Sequence, residues 1–224
     1  MSERLAAGPG GAHHLVIVSD LHLGGRPQDG DDPGFQMCPP ESRRRLAKLV
    51  HHLAGRGEPV GPEGSLELVI NGDLVDFLAE EPFHAFTGSS ASAVEKLGSA
   101  LRHCDEGAPE GERLVPALKE LVGRGHKLTV LLGNHDIELS LPEARRELLR
   151  ILTGGQPARV ELVFDGEAYV IGDVLIEHGN RYDGWNSVAY GALRAFRSAA
   201  SRHEEEWPFQ PPAGSRLVAE VMNP

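Results

Sequence analysis

Four short polar clusters carry the residue types that bind cations and move protons: Ser19-Asp20-Leu21-His22, Asn71-Gly72-Asp73-Leu74-Val75-Asp76, Gly133-Asn134-His135-Asp136 and Glu177-His178-Gly179-Asn180. Together they offer carboxylates, imidazoles and an amide without sulfur, the donor set of a hydrolytic centre built on manganese, iron or zinc. Asp20 and His22 stand two residues apart, so at an extended strand end they face the same way and can grip one cation. Asp73 follows a glycine that lets the chain turn sharply, and its two oxygens suit it to bridge two cations. Asp76 can brace such a site or cap the helix that follows. In the third cluster the Asn134 amide oxygen can ligate a hard cation, His135 can donate a proton to a leaving group, and Asp136 can fix the tautomer of a neighbouring imidazole. His178 adds one more imidazole. Each cluster alone has an ordinary explanation as a turn or a satisfied histidine; their conjunction, each behind an apolar run, points to one shared centre.

The elements that must position these groups are strands. Leu15 to Val18, Leu66 to Ile70, Leu128 to Leu132 and Val174 to Ile176 have strand length and are rich in Val, Ile and Leu. Between them, helical periodicity predicts Glu41 to Ala54 stopping at Gly55, Ser92 to Cys104, and Glu112 to Val122 with Pro116 near its start. Ser140 and Glu143 form a capping-box pair around Pro142 for a helix running to about Leu152. Val160 to Phe164, Ala168 to Ile171 and Val174 to Glu177, joined by Asp165-Gly166 and Gly172-Asp173, read as a β-meander rather than further βαβ units. A last helix is expected over Ser187 to Ser201, and Pro208 to Pro224 has no clear period. The long Gly24 to Pro40 loop and the Glu81 to Phe86 segment each follow a polar cluster and could form lids. The expected organisation is a flexible tail over residues 1–12, these strands and helices over 13–186 as one domain, and a helical C-terminal segment over 187–224 that is an incomplete part of that same domain.

Composition narrows the class. The 224 residues suit one large domain. A formal charge of −11, from 33 acidic and 22 basic residues, opposes non-specific binding to nucleic acid and to anionic membranes. No membrane-spanning run or signal peptide is visible, and two cysteines, Cys38 and Cys104, make a reduced, cytoplasmic setting the default expectation. A Rossmann or P-loop protein is the less favoured rival, because no glycine-rich phosphate loop follows the first strand.

Taken together, Asp20-Leu21-His22, Gly72-Asp73-Leu74-Val75-Asp76, Gly133-Asn134-His135-Asp136 and His178-Gly179-Asn180 resemble the calcineurin-like metallophosphoesterase superfamily, from about residue 14 to about residue 186. The resemblance makes residues 13–186 a metallophosphoesterase domain and implies an α/β fold, a four-layer α-β-β-α sandwich of two mixed β-sheets flanked by helices, with a dinuclear site at the strand ends. It implies two divalent ions, most expectedly Mn2+ with Fe or Zn as alternatives. Asp20 and His22 would hold one, Asp73 would bridge, and Asn134 and His178 would hold the other. His135 would be the catalytic imidazole, oriented by Asp136. The implied activity is hydrolysis of a phosphomono- or diester by attack of a metal-bridging hydroxide.

One departure from the family pattern stands out. Members typically finish the site with a late Gly-His-x-His, whereas the sole histidine after His178 is His203, in a charged stretch with no glycine before it. A fragment of a longer protein, ligands from a partner, or a degenerate site would each account for this, and the unfinished look of the Arg216 to Met222 stretch favours the first. A catalytically incomplete binding module is the competing reading. Arg181, Tyr182 and Trp185 follow the His178 cluster and could meet substrate, the arginine by pairing with phosphate and the aromatics by stacking. The acidity of the chain favours a small phosphoester, such as a nucleotide or a nucleotide-sugar lipid precursor, over DNA or RNA. Oligomeric state is left open.

Overall fold

Four apolar runs, buried or half-buried along most of their length, pair side by side as a wholly parallel sheet in the order β1-β2-β3-β4: β1 (His14–Val18), β2 (Leu66–Asn71), β3 (Lys127–Leu131) and β4 (Val160–Val163). The computed structural model describes residues 14–26, 34–56, 66–202, 204 and 208–222; the expected N-terminal tail and the middle of the Gly24 to Pro40 loop lie outside them. Parallel neighbours need crossovers, and helices supply them. α1 (Pro40–Ala54) links β1 to β2, α2 (Ser90–Asp105) and α3 (Leu114–Gly123) link β2 to β3, and α4 (Pro142–Thr153) links β3 to β4. A second sheet is the antiparallel hairpin of β5 (Tyr169–Ile171) and β6 (Val174–Ile176). α5 (Tyr190–Ser201) and α6 (Ala213–Leu217), the latter running into a π-helical turn over Val218–Met222, complete the chain.

Strand periodicity decides which face each residue serves. Val16, Val18, Leu68, Ile70, Leu128, Val130 and Leu162 join the main core with α1 to α5, including Leu97, Leu121, Leu148 and Phe196. The opposite face, Leu15, Val69, Leu131 and Val163, packs on Tyr169 and Ile176 of the hairpin. That inter-sheet layer also holds a carboxylate. Glu67 is fully buried and accepts from Thr129 Oγ1 at 2.6 Å and Tyr169 Oη at 2.8 Å, with Lys127 Nζ 3.4 Å away. The sandwich of two sheets flanked by helices expected from the resemblance is therefore present, and all four polar clusters leave it at strand ends.

Two local expectations are corrected. Val160 to Phe164 does not open a meander; β4 pairs parallel to β3, Leu131 opposite Val163, because α4 buries Ala144, Leu148 and Leu152 and serves as a full crossover. Among the described residues only β5 and β6 form a hairpin, across Gly172 at φ +55°. The capping box at Ser140 does not form either. Ser140 is buried in a short 3-10 turn (Ile137–Ser140), Leu141 occupies the cap position, and Glu143 instead accepts from Ser90 Oγ and Arg146 Nη2, both at 2.7 Å. α3 begins after Pro109 to Arg113 because Asp105, at the end of α2, accepts from Leu114 N at 2.7 Å and Val115 N at 3.1 Å.

That 3-10 turn carries a second buried carboxylate. Glu138 is 1% exposed, accepts from Thr87 N at 2.7 Å, and lies near the buried ammonium of Lys96, itself bonded to Phe77 O at 3.5 Å. Burial pushes its carboxyl up to about 7, against the opposing pull of the Thr87 amide and Lys96. A carboxyl raised on folding favours the native state below its unfolded pKa and loses that contribution as pH rises through the folded value. Wild-type stability is thus expected to fall between pH 4.5 and about pH 7 by on the order of 1–3 kcal/mol from this group. Glu138→Gln keeps an acceptor for Thr87 and should gain stability over wild type on going from pH 5 to pH 8, read by denaturant unfolding at each pH. An unchanged difference across that window would remove Glu138 as its source.

Candidate metal centre

The loops that leave β1 and β2 stay zipped together beyond the sheet. His22 N donates to Asp73 O at 2.8 Å, Leu23 N to Leu74 O at 3.0 Å, and Asp76 N back to Leu23 O at 2.9 Å. Holding this pairing while turning the side chains into one space forces left-handed backbone at three residues that are not glycine: Asp20 at φ +55°, His22 at +44° and Asp73 at +49°. Each such conformation costs roughly 1–2 kcal/mol, and strain of this kind gathers where side-chain aim is functional. The three strained residues are three of the expected ligands.

Glycines make room for the rest. A Cβ on Gly72 would lie 2.3 Å from His178 Nδ1, and one on Gly133 would lie 2.0 Å from Asp73 Oδ1. With that space open, Asp73 becomes the hub. Its Oδ1 accepts from His135 N at 2.8 Å, while Oδ2 faces His178 Nε2 at 3.3 Å and His22 Nε2 at 3.6 Å. Two groups of potential ligand atoms, each within 4.8 Å of one another, share it: Asp20, Asp73 and His178, and His22, Asp73 and His135. Asn134 is buried in the bend beside them. The expected pairing of Asp20 with His22 differs from this grouping, in which Asp20 sits across Asp73 with His178 while the His22 ring stands edge-on to His135 with centroids 4.6 Å apart.

Hydrogen bonds behind the imidazoles fix which nitrogen points inward. His178 Nδ1 lies 2.8 Å from the Asn71 carbonyl, which only accepts, so Nδ1 carries the proton and Nε2 is left toward Asp73. Asn71 also donates from Nδ2 to Glu177 O at 3.0 Å, so one residue at the end of β2 clamps the end of the hairpin. His135 Nδ1 lies 3.1 Å from Asp76 Oδ1, the same oxygen that caps the turn at Leu78 N. The contact expected of Asp136 is therefore made by Asp76. Asp136 instead spends its two oxygens on Leu74 N and Gly133 N, both at 2.7 Å, and ties the second loop to the third.

The electrostatics follow from this packing. Burial raises the Asp73 carboxyl, but His178, His135 and His22 outweigh it and hold the group below the usual carboxylate range. Asp76 is likewise buried, yet His135 and His22 bring it down to about 2. Against their own desolvation, His178 is lifted to about 9 by Asp73, and His135 is lifted by Asp76. Burial and the Asp73 charge push Asp136 up. The site thus gathers fixed negative charge and imidazole nitrogens around a single buried carboxylate, as divalent cations with mixed N and O ligation require.

Arg181 lines a small cleft with His178, while Tyr182 and Trp185 follow it in the 3-10 turn and the loop behind. Arg181 is engaged by Glu177 at 3.0 Å and by the Gly166 carbonyl, and Tyr182 Oη donates to Glu177 at 2.8 Å. The rings of Tyr182 and Trp185 are exposed. Neither proposed lid is wholly free. Arg26 bridges to Phe35 and pairs with Glu81 at 3.0 Å, and Phe86 packs edge-on against Phe196 and Phe209. Two roles escaped sequence reasoning: that of Asn71, named there only as the head of its cluster, and that of Tyr190, which receives a bond from Asn180 Nδ2 at 3.3 Å.

The model of the calcineurin-like phosphoesterase family matches residues 13–210, and the chain belongs to that family. Comparison with curated proteins and with solved structures finds no match. Among the described residues no helix is long and apolar enough to cross a membrane.

Gly133→Ala would drive a methyl group into Asp73, so manganese affinity should fall by about 10–100-fold, as measured by titration calorimetry with thermal melting recorded alongside. Retained affinity in a folded variant would mean that Asp73 is not the hub of binding.

Proposed function

We propose that this chain hydrolyses a small phosphomono- or diester with the help of two divalent cations, manganese foremost. The observation that carries the reading is the pair of three-residue donor groups that share Asp73, one of which includes His135 with its ring tied back to Asp76. Asp20, His22, Asp73, Asn134 and His178 are the residues that would hold the ions. When bound, such cations polarise phosphoryl oxygens and lower the pKa of coordinated water.

The chain's own residues supply the remaining steps. The Asp76 carboxylate fixes the orientation of His135 and favours its protonated form, so the imidazolium can stabilise charge on the phosphoryl group or give its proton to the departing alkoxide. Asp136 contributes by holding the Gly133 and Leu74 backbone, which keeps Asn134 and Asp73 in place. Exposed Tyr182 and Trp185 offer stacking faces for a base or sugar, and the net charge of −11 favours a small ester over a long polyanion. A binding module without turnover is the second reading, favoured by the lack of a Gly-His-x-His in this sequence.

Hydrolysis of bis-p-nitrophenyl phosphate and p-nitrophenyl phosphate with added manganese separates the two. Turnover abolished by chelation is expected. His135→Ala should lower kcat by about 10²–10⁴-fold with manganese content retained, and Asp76→Asn should lower it in the same direction with a changed pH profile. Bound manganese without turnover would favour the binding module, and equal loss of metal and activity in His135→Ala would make that residue a ligand.

A further inference from the structure

Asp20 differs from the other groups of the centre in how it is held. Asp73 is braced by the His135 amide, His135 by Asp76, and His178 by the Asn71 carbonyl. Asp20 is exposed, and among the described residues the side chain that hydrogen-bonds its carboxylate is that of Ser19, the residue immediately before it. Consecutive side chains of an extended chain point to opposite faces, so such neighbours do not ordinarily meet. The left-handed turn at Asp20, φ +55°, breaks that alternation at the end of β1, and the Ser19 hydroxyl reaches Asp20 Oδ2.

The same hydroxyl is tied across to β2. Ser19 Oγ lies 3.0 Å from the Asn71 carbonyl, which also accepts from His178 Nδ1 at 2.8 Å. A hydroxyl carries one proton and donates to one of two acceptors at a time; an ionised carboxylate makes the stronger, charge-assisted bond. The Asn71 oxygen thus stands between Asp20, reached through Ser19, and His178, reached directly. Those two residues and Asp73 make up one of the two donor groups. Neither His22 nor His135, from the other group, is hydrogen-bonded to Ser19. Joining the ends of β1 and β2 does not require the hydroxyl either, because Asp20 N donates to Gly72 O at 3.3 Å and His22 N to Asp73 O at 2.8 Å. What the hydroxyl adds to the backbone pairing is its hold on the Asp20 side chain.

We infer that Ser19 is a positioning residue for the cation held by Asp20, Asp73 and His178. Its hydroxyl fixes the Asp20 carboxylate against the end of β2, so that Asp20 meets the cation already aimed and without the loss of side-chain freedom that an exposed carboxylate otherwise suffers on binding. The inference rests on the reading above that the centre holds two cations, and not on turnover.

Calorimetric titration of manganese into the chelator-treated full chain tests it, with thermal melting of each metal-free protein recorded alongside. Wild type should take up two ions, and Asp20→Ala should identify the step to which Asp20 belongs. Ser19→Ala should weaken that step about tenfold and leave the other unchanged, while Ser19→Thr, which retains a hydroxyl, restores it. Electron paramagnetic resonance supplies a second readout: at the manganese concentration that fills both positions in wild type, Ser19→Ala should show the six-line signal of a singly occupied centre. Should Ser19→Ala melt early, Ser19→Thr and Ser19→Val, alike in shape and differing in the hydroxyl, make the same comparison. Unweakened binding by the folded variant, equal weakening of both steps, or failure of Ser19→Thr to restore the affected step overturns the assignment. Uptake of fewer than two ions by wild type overturns the two-cation reading and the assignment with it. The expected pattern in a protein that turns over neither nitrophenyl ester upholds Ser19 and counts against the phosphoesterase reading alone.

Discussion

Everything about this site depends on keeping one carboxylate charged while it is buried. Asp73 is 2% exposed, and an isolated carboxylate at such depth would take up a proton rather than remain ionised. It is kept anionic by an amide from His135 and by three imidazoles drawn from three different loops. Strand order brings those loops together, because β1, β2 and β3 are adjacent and parallel, and the hairpin end reaches the same place from the opposite face. The strained backbone and the two glycines are what it takes to let four chain segments converge within bonding distance of one side chain.

The three buried aspartates of the site have separate jobs despite their shared surroundings. Asp73 faces ring nitrogens, Asp76 aligns an imidazole and caps a turn, and Asp136 binds two backbone amides. Asp136 and Asp73 repel, so Asp136 is stabilised by its two N–H donors and raised by burial and its neighbour, whereas Asp73 is lowered. Charge is thereby concentrated on the aspartate that faces the ring nitrogens, and the one behind it is left to hold backbone.

Much of this was legible in the sequence because it depends on local pattern. Runs such as Leu66 to Ile70 declare buried strands, and polar residues immediately behind them must emerge at strand ends, so Asp20, His22, Asp73, Asn134, His135 and His178 could be placed near one another before any contact was known. What escaped depends on contacts between distant segments. Asp136 adjoins His135 in the chain, but its neighbour in space is the Leu74 amide; Asp76, 59 residues earlier, reaches the imidazole. Ser140 and Glu143 have capping-box spacing, yet Ser90 from α2 claims the glutamate. β4 carried turn signals on its C-terminal side that resemble a hairpin, and only its partner strand reveals the crossover. The bond that puts Tyr190 beside Asn180 has no signature along the chain.

Glu67 has a consequence for assembly. A purely oily layer between the parallel sheet and the two-stranded hairpin would tolerate sliding, since one aliphatic contact is much like the next. With Glu67 planted there, displacing the hairpin by one residue pair would carry Tyr169 off the carboxylate and leave a buried charge short of a donor, a fault that costs several kcal/mol. The glutamate therefore works as a key in a slot, admitting the hairpin in a single seating. Because His178 lies just beyond that hairpin, the same key gauges how far its imidazole-bearing end reaches toward Asp73.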